Sequence, residues 1–551
     1  MPEPRFSIVT PVYETPADVL RATLRSVRRQ RFRDWELCLV DDASSEPHVA
    51  ALLEAAQRED PRIRLQRRLE NGGIVAASND ALAMSRGEFI ALLDHDDLLH
   101  PDALALVAEA LDREPDADYL YTDEDKIDRR GLHAGPFCKP DWSPERMRTQ
   151  MYTCHFSVLR RSLVEAVGGF DPEFEGSQDW NLVLHVTERA RRVVHIPRVL
   201  YHWRALETSA AGGGDPKPWA FEAGKHAVQA HCDRIGLQAR VERDEAVPGV
   251  YHLHPALTSE PMVSIVIPTN GQRREVRYQE VTLVEHCVRS IVEKSTYANF
   301  EIVCVTDAAT DPAVIAALTA AAGDRLRLIP YEGEFDFSAK INLGALHSEG
   351  ELLLLLNDDM EVLTPDWLER LVMYAQHPGI GAVGARLLWE DGRLQHAGVL
   401  FENGGLPGHI YRGFRGDYKG YSNNAHLAQN YLAVTGACMM TPAAAFEQVG
   451  GLSTTLPINY NDVDYCLKLR TRGLRVVYDP DTVLYHFESS SRSSEVEDWE
   501  KQALVGRWLP LTAVDPSTSP YLRHGLPRLS AHFAWAPRRL RRPLSSRGQR
   551  R

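Results

Sequence analysis

Phe89-Ile-Ala-Leu-Leu-Asp-His-Asp-Asp-Leu-Leu99 and its counterpart Leu352-Leu-Leu-Leu-Leu-Asn-Asp-Asp-Met360 decide how this chain is read. Each is a short apolar run that stops at a cluster of acids. A run of that length bounded by polar residues reads as a buried parallel strand. In open α/β sheets, ligands gather at the carboxyl ends of such strands. Carboxylates this close repel one another, and hard divalent ions that prefer oxygen ligands relieve the repulsion. A solvated acidic turn is the plain alternative for one such cluster. Two clusters in matching contexts weigh against it.

Working outward, the sequence around each cluster repeats. Phe6-Ser-Ile-Val-Thr-Pro-Val-Tyr13 is matched 257 residues later by Val263-Ser-Ile-Val-Ile-Pro-Thr269. Asp42 is matched by Asp307, Asn79 by Asn342 and Asp94 by Asn357. Gly168-Gly169 answers to Gly450-Gly451, Asp179 to Asp462, and Leu200-Tyr-His202 to Leu484-Tyr-His486. Offsets that drift between 257 and 284 are loop insertions within one duplicated unit. Strands alternate with helix patterns in each copy, which predicts two tandem α/β domains with mostly parallel sheets of Rossmann-like type. The expected boundaries are 1–205 and 261–495. A helix near 219–235 and a strand pair near Val241 and Tyr251 fill 206–260, packed on the first domain. A helix over 499–508 and a basic tail fill 496–551.

The totals fit a globular enzyme of several domains: 551 residues, 44% hydrophobic and 25% charged. The net charge of −14 argues against general nucleic-acid binding. From Pro516 onward there are nine arginines and no acid, which leaves 53 basic against 76 acidic residues, or −23, in the rest. Phe533, Trp535 and Leu540 among those arginines suit a peripheral anchor on anionic lipid, and a solvated tail suits them equally. The eight cysteines form no Cys-x-x-Cys pair and read as buried thiols of a reducing compartment. Met1-Pro-Glu-Pro-Arg5 carries no secretion pattern, and no run approaches 18 apolar residues. A cytoplasmic enzyme is expected.

The strand ends carry the chemistry. Asp42 after the second strand suits a nucleotide base or ribose as a hydrogen-bond acceptor. Asp94-x-Asp96 suits a divalent metal bridging a diphosphate. Asp179, at the start of a helix after the turn-rich Gly168-Gly-Phe-Asp-Pro-Glu-Phe-Glu-Gly-Ser-Gln178, suits a general base on a hydroxyl, or equally a helix N-cap. His202 suits a third metal ligand, although a lone histidine is more often structural.

Each half resembles family 2 glycosyltransferases of the GT-A fold, on the opening Ser-Ile-Val-x-Pro, Val-Asp-Asp, Leu-Asp-x-Asp-Asp and Gly-Gly-Phe motifs. Tyr121-Thr-Asp-Glu-Asp-Lys-Ile-Asp128, Lys139-Pro-Asp-Trp-Ser-Pro144, Gly176-Ser-Gln-Asp179 and Leu200-Tyr-His-Trp-Arg204 resemble the first domain of tandem enzymes of O-antigen, rhamnan and related surface-polysaccharide assembly. Leu394-Gln-His-Ala-Gly398, Val434-Thr-Gly-Ala-Cys438, Asn461-Asp-Val-Asp-Tyr-Cys466 and His486-Phe-Glu-Ser-Ser-Ser-Arg492 resemble their second. The resemblance implies inverting transfer from a nucleotide sugar, with rhamnose from dTDP-rhamnose favoured, to a growing or lipid-linked glycan. It implies that Asp42 and Asp307 bind the nucleotide, with Asn79, Asp94, Asn342 and Asn357 completing the nucleotide-sugar set. Mg²⁺ or Mn²⁺ would be held by Asp94, Asp96 and His202 in one half and by Asn357, Asp359 and His486 in the other. Asp179 and Asp462 would be the two bases.

The second half departs from the first in Asn357-Asp358-Asp359 and in Val305-Thr306-Asp307. Neither change removes a base, so two working sites are expected rather than one active and one structural domain. A nucleotidyltransferase would carry a Gly-rich signature with a lysine near its start, which Phe6 to Tyr13 lacks. A carbohydrate-binding scaffold would tolerate loss of Asp179 and Asp462. Gln502 and Arg507-Trp508 approach the Gln-x-x-Arg-Trp pattern of processive synthases with the wrong spacing.

Overall fold

The structure is a computed structural model and describes residues 3–128, 130–205, 218–402, 404–488, 496–523 and 525–527. The Gly212-Gly-Gly214 stretch, most of His486 to Arg492 and the basic tail lie outside the described residues.

The first half builds strands β1 (Phe6–Val12), β2 (Trp35–Asp41), β3 (Ile63–Arg67), β4 (Phe89–Leu92), β5 (Leu98–Leu99), β6 (Ala117–Ile127), β7 (His133–Phe137), β8 (Ser157–Arg160) and β9 (Arg192–Arg204). Eight of these run in the order β3-β2-β1-β4-β8-β6-β9-β5, and β7 pairs with β6. A hairpin of β10 (Ala239–Arg243) and β11 (Tyr251–Pro255) follows. The second half opens with β12 (Val263–Thr269) and a hairpin of β13 (Arg273–Val276) and β14 (Gln279–Thr282). It continues with β15 (Phe300–Asp307), β16 (Leu326–Tyr331), β17 (Leu352–Leu356), β18 (Met360–Val362), β19 (Ile380–Leu388) and β20 (Leu394–His396). The last strands of this half are β21 (Val399–Glu402), β22 (Leu406–His409), β23 (Gln429–Tyr431), β24 (Cys438–Pro442) and β25 (Arg475–His486). Its sheet order, β16-β15-β12-β17-β24-β19-β25-β18, copies the first strand for strand. Both sheets are mixed: β1, β2, β3 and β4 are parallel, as are β6 and β9, whereas β8 and β5 run against their neighbours.

The duplication extends to buried polar contacts. Ser7 Oγ donates to Glu36 at 2.7 Å and accepts from the Gly87 N–H at 2.8 Å. Ser264 Oγ donates to Glu301 at 2.6 Å and accepts from the Gly350 N–H at 2.8 Å. A Cβ on either glycine would lie 2.6 Å from a backbone nitrogen of the neighbouring strand, so both positions admit only glycine. The sequence motif Ser-Ile-Val therefore records a packing requirement of the sheet.

The segment between the halves touches both. Its helix Pro218–Ile235 lies on the helix Gln178–Thr187, with His231 bonded to Glu188 at 2.7 Å. Its hairpin reaches the second half, where His252 bonds Asp481 at 2.8 Å. The helix Asp498–Thr512 packs on the helix Asn461–Thr471 through Trp508 Nε1 and Arg507, both donating to the buried Asp464. Among the described residues no helix is long and apolar enough to cross a membrane.

Candidate active site

Backbone geometry aims the acidic turns. The Leu93 N–H donates to the Val9 carbonyl, so β4 runs on past its last paired residue and releases Asp94 beside the end of β1. Asp97 is buried, accepts from Tyr201 Oη at 2.6 Å and from the Arg204 N–H at 2.7 Å, and so fastens the turn to β9. Burial, together with Asp94 and Asp96, pushes its carboxyl well above the usual carboxylate range. Asp94 itself stays 45% exposed, with His155 Nε2 at 3.9 Å from its carboxylate.

Asp94, His155 and Asp179 line one cavity of about 110 Å³, together with Ser78, Cys154 and Gln178. Asp179 sits in the first turn of Gln178–Thr187. Burial raises its carboxyl above the usual range; His155 opposes that and Asp94 adds to it. A carboxylate raised in this way holds a proton more readily near neutral pH, as a general base must.

The second half assembles a matching constellation with different donors. His486 Nε2 lies 3.0 Å from Asp359 Oδ1 and 3.2 Å from the Asn357 amide. Its Nδ1 lies 2.6 Å from Gln395 Oε1, which fixes the ring and aims Nε2 at the turn. Burial works against protonation of His486, but the Asp359 carboxylate outweighs it and the pKa is raised. Asp462, in the first turn of Asn461–Thr471, accepts from the Gly436 N–H at 2.8 Å. A Cβ on Gly436 would stand 3.0 Å from that of Asp462, which explains the glycine of Val434-Thr-Gly-Ala-Cys438. Beside Asp462, the rings of His396 and His409 share a 2.7 Å contact between their Nδ1 atoms. Burial draws His409 down to about 4. The pair is neutral, with one ring donating.

Several expected ligands stand elsewhere. Asn79 donates to the Phe170 carbonyl at 2.8 Å and accepts from its N–H at 2.9 Å. Asn342 makes the same pair with Leu452, both at 2.9 Å. These amides clamp the Gly-Gly turn to a helix. Asp42 is buried, accepts from the Gly72 and Gly73 N–H groups at 2.9 Å each, and pairs with Arg68 at 2.9 Å. Asp307 is 32% exposed and pairs with Lys340.

His202 lands in another group: its Nδ1 lies 2.7 Å from Asp125 and its ring is 4.6 Å from that of His133, and these three side chains could themselves hold a metal ion. The cause is register. In the first half Leu99 pairs with Tyr201, whereas in the second its counterpart Val362 pairs with Leu484. β9 skips Leu200 between Asp123 and Glu124 in its pairing with β6, and β25 has no such skip there. A slip of one residue turns every following side chain to the other face. Trp203 thus stands where His486 stands, and the imidazole beside the first acidic turn is His155, supplied by the segment before β8. Sequence reasoning missed His155, Gln395, His396 and His409; Leu394-Gln-His-Ala-Gly398 was the available signal for two of them.

The donor sets fit a divalent ion: carboxylate and amide oxygens with one imidazole, its far nitrogen already held in the second half. Duplicated mixed sheets, each ending in an acidic turn faced by a helix-borne carboxylate, define a tandem GT-A protein. The chain belongs to the family described as Glycosyl transferase family 2, which matches residues 7–168 and 264–450. It is 39% identical over 532 residues to "Uncharacterized protein y4gI" of Sinorhizobium fredii, covering 94% of this chain and 58% of that protein. It is 37% identical over 524 residues to "O-antigen biosynthesis protein RfbC" of Myxococcus xanthus, covering 94% and 40%. The chain therefore spans about half the length of these relatives. The solved structure of Staphylococcus aureus TarS 1-349 in complex with UDP-GlcNAc aligns with 41% of this chain and 66% of its own, at 20% identity and a TM-score of 0.36.

Proposed function

We propose that this chain transfers sugars from nucleotide-sugar donors to hydroxyls of a growing or lipid-linked surface polysaccharide, with inversion and at two sites. The observation that carries this reading is the paired constellation of Asp94, His155 and Asp179 with Asn357, Asp359, His486 and Asp462. Asp94, and Asn357 with Asp359 and His486, would hold Mg²⁺ or Mn²⁺; Asp96 adds a carboxylate at the first turn. When bound, that ion neutralises the diphosphate of the leaving nucleotide. Asp179 and Asp462 each orient an acceptor hydroxyl and take its proton as it attacks the anomeric carbon, a contribution of about 10²–10⁴-fold. Asp42 and Asp307 act at the nucleotide end, in Asp42 through the Gly72-Gly73 turn it braces.

The favoured donor is dTDP-rhamnose, on the resemblance to O-antigen and rhamnan assembly. We place the reaction in the cytoplasm, consistent with eight unpaired cysteines, with the basic tail as a peripheral contact to the inner membrane. The test is nucleotide release from a panel of UDP-, GDP-, dTDP- and CMP-sugars, with and without EDTA and acceptor. Asp179→Asn and Asp462→Asn should each abolish one linkage, falling by about 10²-fold or more, and keep donor affinity. If both variants form both linkages at the parental rate, these carboxylates are not the bases.

A further inference from the structure

Away from both acidic turns, two imidazoles converge on one carboxylate oxygen. Asp244 follows β10, His252 lies in β11, and His426 lies in the loop before β23. His426 Nε2 is 2.7 Å and His252 Nε2 is 3.2 Å from the same Asp244 Oδ2. The ligand atoms of all three residues fall within 4.8 Å of one another. The other oxygen of Asp244 accepts from the Ala246 and Val247 N–H groups at 2.7 and 3.0 Å, which turns Oδ2 toward the rings. The far nitrogen of His252 is taken by Asp481 at 2.8 Å, and Arg370 stands 3.7 Å from Asp481.

We infer that Asp244, His252 and His426 form a transition-metal site that fastens the intervening hairpin to the second domain. Two imidazole nitrogens and one carboxylate oxygen suit Zn²⁺ or another late first-row divalent ion better than Mg²⁺ or Ca²⁺, which favour all-oxygen shells. The bond from His252 to Asp481 is the carboxylate–histidine arrangement that fixes tautomer and ring orientation in metal sites. No active-site residue is shared, so the site is structural in its consequence. It holds the hairpin between the domains against the 421–426 loop, whose Tyr421 Oη donates to the Pro136 carbonyl of the first half at 2.8 Å. One ion would thereby help set how the two halves sit together.

The experiment uses the full chain, stripped with a chelator and carrying Asp94→Asn and Asp359→Asn to weaken metal binding at the acidic turns. Co²⁺ is titrated in and its visible absorption followed, then Zn²⁺ is added in competition. One equivalent of Co²⁺ with the absorption of a low-coordinate nitrogen/oxygen site, displaced by Zn²⁺, is the expected result. His252→Gln and His426→Gln should each abolish it, and Asp481→Asn, which leaves all three ligands in place, should weaken Zn²⁺ by about 10–100-fold. Circular dichroism establishes that each variant is folded. A folded parent that binds no Co²⁺, or folded His252→Gln and His426→Gln chains that bind it as the parent does, would overturn the assignment.

Discussion

At Asn79 one side chain makes two bonds to the backbone of one residue, Phe170, and Asn342 repeats them with Leu452. Gly169, at φ +76°, passes so close that a Cβ there would lie 2.7 Å from the Asn79 amide oxygen; at Gly451 the corresponding gap is 2.5 Å. The amide thus holds a turn that only glycine can form, and the turn leads through Asp171 to Ser177 into the helix bearing Asp179. Asn79→Ala should orphan a partly buried N–H and C=O and cost about 2 kcal/mol of stability. It should lower turnover more than nucleotide affinity, because Asp179 is displaced while the donor contacts stay. A denaturant titration beside donor binding and turnover measures all three, and a variant that loses donor affinity alone would return Asn79 to the nucleotide. The sequence marks such residues as required in both copies but not for what, since a clamp and a ligand demand the same amide. Asp179 and Asp462 read equally as a base or a helix N-cap, and the structure puts each in the first turn of its helix, with Ser177 and Tyr460 at the caps.

Whole elements carried most of the legible information. Apolar runs that end in acids, helix patterns between them and a second copy of both predict the two sheets, and the strand order repeats accordingly. Register was not legible. Leu-Tyr-His reads alike at 200–202 and 484–486, yet Leu200, skipped in the pairing with β6, puts the two histidines on opposite faces of equivalent strands. No local propensity records a one-residue slip, because it is set by pairing with β6 far along the chain. The two variants His486→Gln and His202→Gln should therefore behave differently. In an Asp179→Asn background, which on the proposed function leaves only the second site turning over, His486→Gln should raise the Mn²⁺ concentration for half-activation by about 10–100-fold. His202→Gln, which touches Asp125, should leave that concentration unchanged and lower thermal stability. Equal shifts in the metal requirement would mean that both histidines face their acidic turns.

In the charge-rich hexapeptide Pro144-Glu-Arg-Met-Arg-Thr149, Glu145 through Thr149 are all buried. Much of their cover is the other half of the molecule. Ser143 Oγ donates to Asn430 at 2.8 Å, Arg146 to Gln429 at 3.3 Å and to the Ser422 carbonyl at 3.1 Å, and Glu145 pairs with Arg148 at 3.1 Å and with Arg475 at 3.3 Å. A contact between domains leaves no periodicity in either one, which is why this part of the fold could not be read from the sequence. Burial pushes the Glu145 carboxyl up, but Arg475 and Arg148 outweigh it and hold it down at about 2. A carboxylate whose folded pKa is depressed stabilises the fold above its unfolded value near 4.5 and loses that stabilisation as pH falls toward about 2. A shift of that size corresponds to roughly 3 kcal/mol. Glu145→Gln should thus cost about 3–5 kcal/mol at pH 7, since it strands Arg148 against the interface. The gap between parent and variant should close as the parent's own glutamate takes up a proton. Thermal midpoints of both chains at pH 7, 4.5 and 3 test this, with the gap largest at pH 7 and narrowing only below pH 4.5. A gap that stays constant from pH 7 to 3 would mean that Glu145 is not the ionised link between the two halves.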